Sequence, residues 1–148
     1  MAGWYVVKKY YAVLFYKAMS YNLKELIEYA EKYQFEESKL PIAFTDEPYT
    51  RTSIYKDDKL EVVVICFADG QTSSVHHHQG SNCVVRVVRG KVLETLFDDI
   101  ADVLELESNH VLKAGDISGL DGKQIHQLSN MSKTGTVLLN FYSPPFKV

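Results

Sequence analysis

Four of the five histidines fall into two features whose residue types suit a metal site. His76 and His78 are separated by one residue, and on an extended strand such side chains point to the same face. A third histidine, His126, follows a glycine-containing turn later in the chain. Three imidazoles brought together would bind iron, zinc, nickel or copper, so the residues alone predict a metal site but not the metal. A solvated surface run of histidines is the alternative interpretation.

Glycines flank both histidine features at a regular spacing. Residues 70–90 begin and end with glycine and contain the histidine pair, and residues 115–130 begin with glycine and contain His126. Each glycine permits a tight turn that brings the flanking strands side by side, so that their inward residues converge at a barrel mouth. Both stretches resemble the two motifs of the cupin superfamily in their spacing. This resemblance implies a barrel whose mouth holds the metal.

Three positions depart from the usual cupin motifs. Asp121 stands where proline is usual, and Lys123 stands where glycine is usual, with Gly122 one place earlier. These two changes leave the conformation of the turn open, but not the identity of the ligand. Cys83 fills the place of the glutamate that usually completes the metal site. Three neutral imidazoles then leave a divalent ion with its full charge, which favours an anionic thiolate as substrate.

The elements that must position these residues are mostly strands. Six apolar runs, rich in β-branched and aromatic residues, predict them. The runs are 61–67, 83–89, 91–97, 102–106, 110–113 and 136–142. Turn-forming residues separate the runs at spacings typical of all-β sandwiches and barrels. We therefore expect a mainly β fold of the cupin type, a double-stranded β-helix or jelly-roll barrel formed by residues 49–148.

A helix is predicted before the barrel. Asn22 can cap it, Glu25 can complete a capping box three residues later, and apolar residues then recur at helical spacing. The preceding residues 1–18 have two interpretations, an extra packed helix or a leader added by a wrong translation start. Residues 1–48 are thus expected to be mostly helical, with one or two N-terminal helices, and residues 1–148 to form a single cupin domain.

The composition narrows the choice of partner and compartment. The formal net charge is −3 and no general basic surface is present, so we expect no nucleic-acid partner, whose binding would require neutralised phosphates. The sequence contains no recognisable signal peptide or transmembrane span, so no membrane partner is expected. With only Cys66 and Cys83, a disulfide framework is not expected. We expect a cytoplasmic monomer that acts on a small molecule.

Five stretches of the sequence resemble the cysteine dioxygenases in order and spacing. They are YTR at 49–51, SSVHHHQGSNC at 73–83, GKVLETLFD at 90–98, IHQLSN at 125–130 and NFYSPPF at 140–146. In that family the first and third histidines of the HxH stretch and the later lone histidine bind iron. The resemblance therefore implies that His76, His78 and His126 bind ferrous iron, Fe(2+). It further implies an enzyme that oxidises the thiol of L-cysteine with O2 to give cysteine sulfinic acid.

The resemblance also implies roles for four residues around the metal. Arg51, in the YTR stretch, stands where the family's arginine binds the substrate carboxylate, which a guanidinium can hold through two hydrogen bonds. Tyr49 stands at the place of a tyrosine that lines the same pocket. Cys83 and Tyr142 stand at the places of a pair that some members join by a thioether cross-link. Tyr142 would also place its hydroxyl beside the substrate.

The residues before Tyr142 differ from those of the eukaryotic members. Those members have a serine and a histidine that relay hydrogen bonds to the tyrosine hydroxyl, whereas this chain has Leu138 and Asn140. The relay is therefore expected to be absent or altered. Asn140 can still donate or accept a hydrogen bond, but it cannot titrate near neutral pH. The chain ends soon after SPPF, and in this respect it resembles a compact, bacterial-type variant.

Three alternatives stay open for the function. The substrate could be another small thiol, either 3-mercaptopropionate or cysteamine. Arg51 argues against cysteamine, which has no carboxylate, and the mercaptopropionate enzymes usually carry glutamine at this position. A non-catalytic cupin that binds a metal or small ligand is the second alternative, against which Arg51, Cys83 and Tyr142 argue together. A metal-dependent isomerase of the cupin fold is the third.

Overall fold

The computed structural model describes residues 20–146, and the interpretations of residues 1–18 lie outside this range. Within it the fold is mainly β, as predicted, and begins with an α-helix. The helical elements are α1 (Leu23–Lys32) and a short 3₁₀ helix (Glu37–Lys39). The strands are β1 (Thr50–Lys56), β2 (Glu61–Phe67), β3 (Asn82–Arg89), β4 (Lys91–Ile100), β5 (Val103–Lys113), β6 (Ile117–Leu120), β7 (Ile125–Asn130) and β8 (Thr136–Ser143). No helix in this part of the chain is long and apolar enough to cross a membrane.

The strands form two antiparallel sheets that pack around a shared apolar core. The larger sheet has the order β1-β2-β8-β3-β6, and the smaller sheet has the order β5-β4-β7. Residues of both sheets meet in this core, among them Val63 of β2, Val85 of β3 and Leu128 of β7. β2 is buried along its whole length, because the core covers one of its faces and α1 with its neighbours covers the other. A continuous apolar run is expected of a strand covered on both faces.

Helix α1 covers the outer face of the larger sheet. It begins with the predicted capping box, which is confirmed: the Asn22 side chain accepts from the Glu25 N–H at 2.8 Å, and the Glu25 carboxylate accepts from the Asn22 N–H at 3.1 Å. Leu26 and Ala30 are fully buried in the cluster between helix and sheet. The guanidinium of Arg86, on β3, donates to the Ala30 carbonyl at 2.7 Å and so satisfies one carbonyl of the last helical turn.

Three strands were not among the predicted apolar runs. β1 reads TRTSIYK and is polar because, as an edge strand, it is partly or fully exposed along its length. β6 has only four residues. β7 reads IHQLSN, in which one of the two buried positions is a histidine rather than an apolar residue. The runs 102–106 and 110–113 fall, from residue 103 onward, in one strand, β5. The separation predicted between them was wrong, because the polar residues between them continue the strand in solvent.

Candidate metal centre

The three predicted ligands converge, as the spacing of the histidines predicted. Nε2 of His76 lies 3.2 Å from Nε2 of His78 and 3.2 Å from Nε2 of His126. One ligand atom from each residue lies within 4.8 Å of the others, and His78 and His126 are buried. Such a group of imidazole nitrogens could hold one metal ion.

Backbone pairing, rather than a continuous strand, brings the histidines together. His76 forms an isolated antiparallel bridge with His126, in which both N–H to carbonyl bonds measure 2.9 Å. The expectation that residues 76–78 alternate along a regular strand was wrong, since beyond this bridge they lie in a loop. His77 is exposed, and its Nδ1 accepts from the Gln79 N–H at 3.1 Å.

Hydrogen bonds select the tautomer of two of the rings. Nδ1 of His76 lies 2.7 Å from the Ser74 carbonyl, which can only accept, so this nitrogen carries a proton. Nδ1 of His126 lies 3.0 Å from the Glu94 carboxylate and carries a proton for the same reason. Burial lowers the pKa of His76, so its Nε2 is unprotonated at neutral pH. With both Nδ1 atoms engaged in these hydrogen bonds, the Nε2 atoms of His76 and His126 face each other at 3.2 Å, close enough for both to bind one cation.

The third ring, His78, is held by aromatic packing. Burial lowers its pKa to about 3, so the ring is neutral. Its ring centroid lies 5.6 Å from that of Tyr142 and 5.2 Å from that of Phe146. Its Nδ1 is buried and has no hydrogen-bond partner within residues 20–146. Three convergent imidazoles, with His76 and His78 held neutral, fit a divalent transition-metal ion.

A buried carboxylate that was not predicted from the sequence supports His126. Glu94, on β4, is fully buried, and its oxygens accept from His126 Nδ1 at 3.0 Å and from the Ser118 hydroxyl at 2.5 Å. Burial opposes ionisation of Glu94, but the hydrogen bonds from His126 and Ser118 outweigh it and lower the pKa of this carboxyl. An ionised carboxylate behind a ligand histidine fixes the tautomer and the orientation of the ring.

His110 lies at the surface and also contacts the same carboxylate. Its Nε2 lies 3.0 Å from Oε1 of Glu94, while 43% of its side chain is exposed. His110, Glu94 and His126 thus form a connected row from solvent to the metal site. A signal for Glu94 was present in the sequence. It stands between Val92 and Leu96 at alternate positions of a strand, and therefore on the inward face.

A pocket beside the histidines brings the predicted substrate-binding residues together. Tyr49, Arg51 and Tyr142 line it, together with Asn140 and Phe146. The guanidinium of Arg51 lies over the Tyr142 ring, 5.3 Å from its centroid. Nη2 of Arg51 is buried without a hydrogen-bond partner in the described range. The pocket therefore has an unused cationic donor on one wall and the histidine cluster on another.

The two residues of the predicted cross-link are cross-strand neighbours. Cys83 on β3 pairs directly with Tyr142 on β8. Both side chains are buried in the core, and burial raises the pKa of the thiol and of the phenol. Nδ2 of Asn140 donates to the Tyr142 hydroxyl oxygen at 3.0 Å, and Oδ1 of Asn140 has no hydrogen-bond partner among the described residues, so a single hydrogen bond stands where the eukaryotic members have a relay. Leu138, the other departure, lies in the core.

The turn before the third histidine forms without the usual proline and glycine. Oδ1 of Asp121 accepts from the N–H of Lys123 at 2.8 Å and from the next N–H at 3.1 Å, so a side chain holds the turn. Gly122 lies against Gly80, and a Cβ at Gly122 would be 2.4 Å from Gly80 backbone atoms. Glycine is thus required at position 122, because the backbone there lies too close to that of Gly80 to leave room for a side chain.

Comparison with known proteins identifies similar sequences in the family that the motifs resemble. Residues 12–148 match the family model described as cysteine dioxygenase type I. Cysteine dioxygenase type 1 from Homo sapiens is 29% identical over 133 residues, which cover 84% of this chain and 66% of the human protein. The protein of that name from Danio rerio is 28% identical over 141 residues, which cover 89% of this chain and 70% of the fish protein. This chain thus spans about two thirds of the length of these relatives.

Solved structures confirm the predicted fold. The cupin domain of Cnp3 from Schizosaccharomyces pombe superposes with a TM-score of 0.61 at 11% identity, covering 76% of this chain and 69% of that one. A likeness at this identity shows the fold alone, which is a cupin barrel. Because the match to the family model covers most of its sequence, the chain belongs to the cysteine dioxygenase type I family.

Proposed function

We propose that the protein is an iron-dependent thiol dioxygenase that converts L-cysteine and O2 into cysteine sulfinic acid. Its family supports a metal-dependent dioxygenase that acts on a small thiol. The observation that supports L-cysteine as the substrate is the position of Arg51, which lines the same pocket as the histidine cluster. A carboxylate-binding donor beside a thiol-seeking metal site suits a molecule that carries both groups.

His76, His78 and His126 would hold ferrous iron, Fe(2+), through their Nε2 atoms. When bound, the iron supplies a Lewis acid for the thiolate and the redox chemistry through which dioxygen can react with sulfur. The chain's own part is to keep the rings oriented and ready to bind, by burial at His76 and His78 and by the Glu94 carboxylate at His126. Cys83 stands where other cupins place a carboxylate ligand, so the positive charge that attracts a thiolate is not offset there.

Arg51 would bind the substrate carboxylate. Its guanidinium lies against the Tyr142 ring and keeps Nη2 unpaired among the described residues. A guanidinium fork can hold a carboxylate through two parallel hydrogen bonds. Tyr49 forms the adjacent wall, with its ring centroid 5.1 Å from that of Phe67. With its carboxylate held on this wall, a short thiol acid can direct its sulfur towards the three histidines.

Tyr142 would supply a hydroxyl proton beside the reacting sulfur. Because Asn140 donates to the hydroxyl oxygen, the O–H group itself stays available to donate into the pocket. Burial raises the pKa of Tyr142, so the phenol keeps its proton at neutral pH. We include in the proposal a thioether between Cys83 Sγ and the Tyr142 ring. Its formation removes one hydrogen from each residue, with dioxygen as the oxidant.

A direct test loads the protein with ferrous iron in the absence of air and then measures oxygen uptake with L-cysteine, 3-mercaptopropionate and cysteamine. We expect uptake with cysteine and a sulfinic acid product, since both atoms of O2 add to one sulfur and no external reductant is needed. Cysteamine should react poorly, because it has no carboxylate for Arg51. Faster uptake with 3-mercaptopropionate would move the substrate assignment to that acid. Absence of uptake with every thiol would instead favour a non-catalytic, metal-binding cupin.

A further inference from the structure

A buried acid stands beside Arg51 and has no part in the function proposed above. Glu61, the first residue of β2, has its Oε1 atom 4.0 Å from Nη2 of Arg51. Only 6% of the Glu61 side chain and 23% of the Arg51 side chain are exposed. Both atoms are buried and lack a hydrogen-bond partner among residues 20–146. Two opposite charges therefore lie close together inside the protein without a hydrogen bond between them.

Strand pairing explains why both charges reach the same space. Glu61 pairs with Tyr142 across β2 and β8, and it shares the inward face of β2 with Val63 and Ile65. On the other side of β2, Arg51 of β1 pairs with Ile65. An acid at an inward position of an otherwise apolar strand costs free energy to bury. Core packing does not require this acid, whereas its position beside Arg51 connects it to the pocket.

The separation decides what Glu61 can do to Arg51. A distance of 4.0 Å is too long for a hydrogen bond, so Glu61 does not hold the guanidinium in one geometry. The same distance is short enough for a strong electrostatic attraction between the two charged groups, because little water reaches them. The charge of Arg51 is thus partly offset before any ligand arrives. A ligand carboxylate must compete with the carboxylate of Glu61 for that charge.

We propose that Glu61 sets the strength with which Arg51 binds a carboxylate, acting through Arg51 as a positioning residue that does not touch the substrate. The inference rests on the proposed role of Arg51. It has a consequence for turnover, because the product, cysteine sulfinic acid, keeps the carboxylate that Arg51 would bind. By offsetting part of the charge of Arg51, Glu61 weakens that contact and so favours release of the product.

The test compares wild-type protein with Glu61→Gln, which removes the charge and keeps the side-chain size. Iron-loaded protein is titrated without air in a calorimeter with 3-mercaptopropionate, cysteine sulfinic acid and cysteamine. The variant should bind both carboxylates about tenfold more tightly, whereas cysteamine binding should stay within about twofold. In steady state its KM for cysteine should fall, and its kcat should fall as well because product release slows.

Asp58→Asn is the matched control, because Asp58 carries the same charge nearby on an exposed turn and should leave all three affinities unchanged. In an Arg51→Ala background, Glu61→Gln should no longer affect carboxylate binding. Glu61→Asp, which draws the carboxylate back by one methylene, should tighten binding by a smaller factor. It decides the matter if the glutamine variant does not fold.

Unchanged or weaker binding of both carboxylates by a folded Glu61 variant would overturn the inference. Tighter binding that persists without Arg51 would also overturn it, because Glu61 would then act directly. Failure of the proposed function has a different signature, since wild-type protein would then consume no oxygen with any thiol. The calorimetric comparison of the three ligands would still decide the role of Glu61.

Discussion

Glu94→Gln should weaken metal binding while preserving the barrel. The change removes the charge behind His126 and keeps nearly the same side-chain volume. Glu94 accepts from His126 Nδ1 at 3.0 Å and so selects the tautomer whose Nε2 is free for a metal. A buried, charge-assisted hydrogen bond contributes about 1.5–3 kcal/mol. Since about 1.4 kcal/mol corresponds to a factor of ten, the apparent Kd for the metal should rise roughly ten- to a hundredfold.

Metal affinity can be measured without turnover, by titrating the protein with Fe(2+), or with Zn(2+) as a redox-inert probe, against a chromophoric chelator. Glu105→Gln is the matched control, because Glu105 is exposed on the adjacent strand β5. The same loss of charge there should change the Kd by less than about twofold. If Glu94→Gln binds the ion as tightly as the control does, His126 does not depend on its carboxylate partner and the reasoning is refuted.

Arg51→Ala should raise the KM for L-cysteine by roughly tenfold or more and leave any cysteamine oxidation unchanged, because only cysteine offers a carboxylate. Equal losses with both thiols would contradict that role. The intact denatured mass should fall by two hydrogens in cross-linked molecules, and Cys83→Ser should abolish this loss; if neither protein shows it, the bond to Tyr142 does not form. Gly90→Ala should lower the free energy of unfolding by about 2–4 kcal/mol in a urea titration, because its φ is 88° and a Cβ would lie 2.4 Å from a threonine hydroxyl oxygen. Gly70→Ala, with φ 74° and open space around the Cβ, should cost only about 1 kcal/mol, and equal costs would contradict this packing argument.

The histidine cluster could be predicted because residue types and their spacing can be read directly from the sequence. The positions of His76, His78 and His126, and of the glycines that flank them, can be recognised without knowledge of the fold. β2, Glu61–Phe67, could be predicted because a strand buried on both faces reads as a nearly continuous apolar run, here residues 62–67. The first turn of α1 could be predicted because its capping box is local.

The residues that support the site could not be found in this way. The partners of Glu94 come from β5, β6 and β7, and only the strand register brings them to one carboxylate. Glu61 is a single acid at the start of an apolar run. From the sequence alone, such an acid could equally be an exposed residue at the end of the strand or a buried residue within it. Its closeness to Arg51 depends on how β1 pairs with β2. β1 itself was missed because an exposed edge strand carries no apolar signature.

The dioxygenase assignment can be decided by one isotope measurement. Iron-loaded protein is given L-cysteine and isotopically labelled dioxygen in unlabelled water, and the sulfinic acid formed is analysed by mass spectrometry. Both oxygen atoms gained by the sulfur should carry the label, since both come from one molecule of O2. A sulfinic acid that carries only one labelled oxygen, or oxygen consumption that yields only the disulfide, would contradict the assignment.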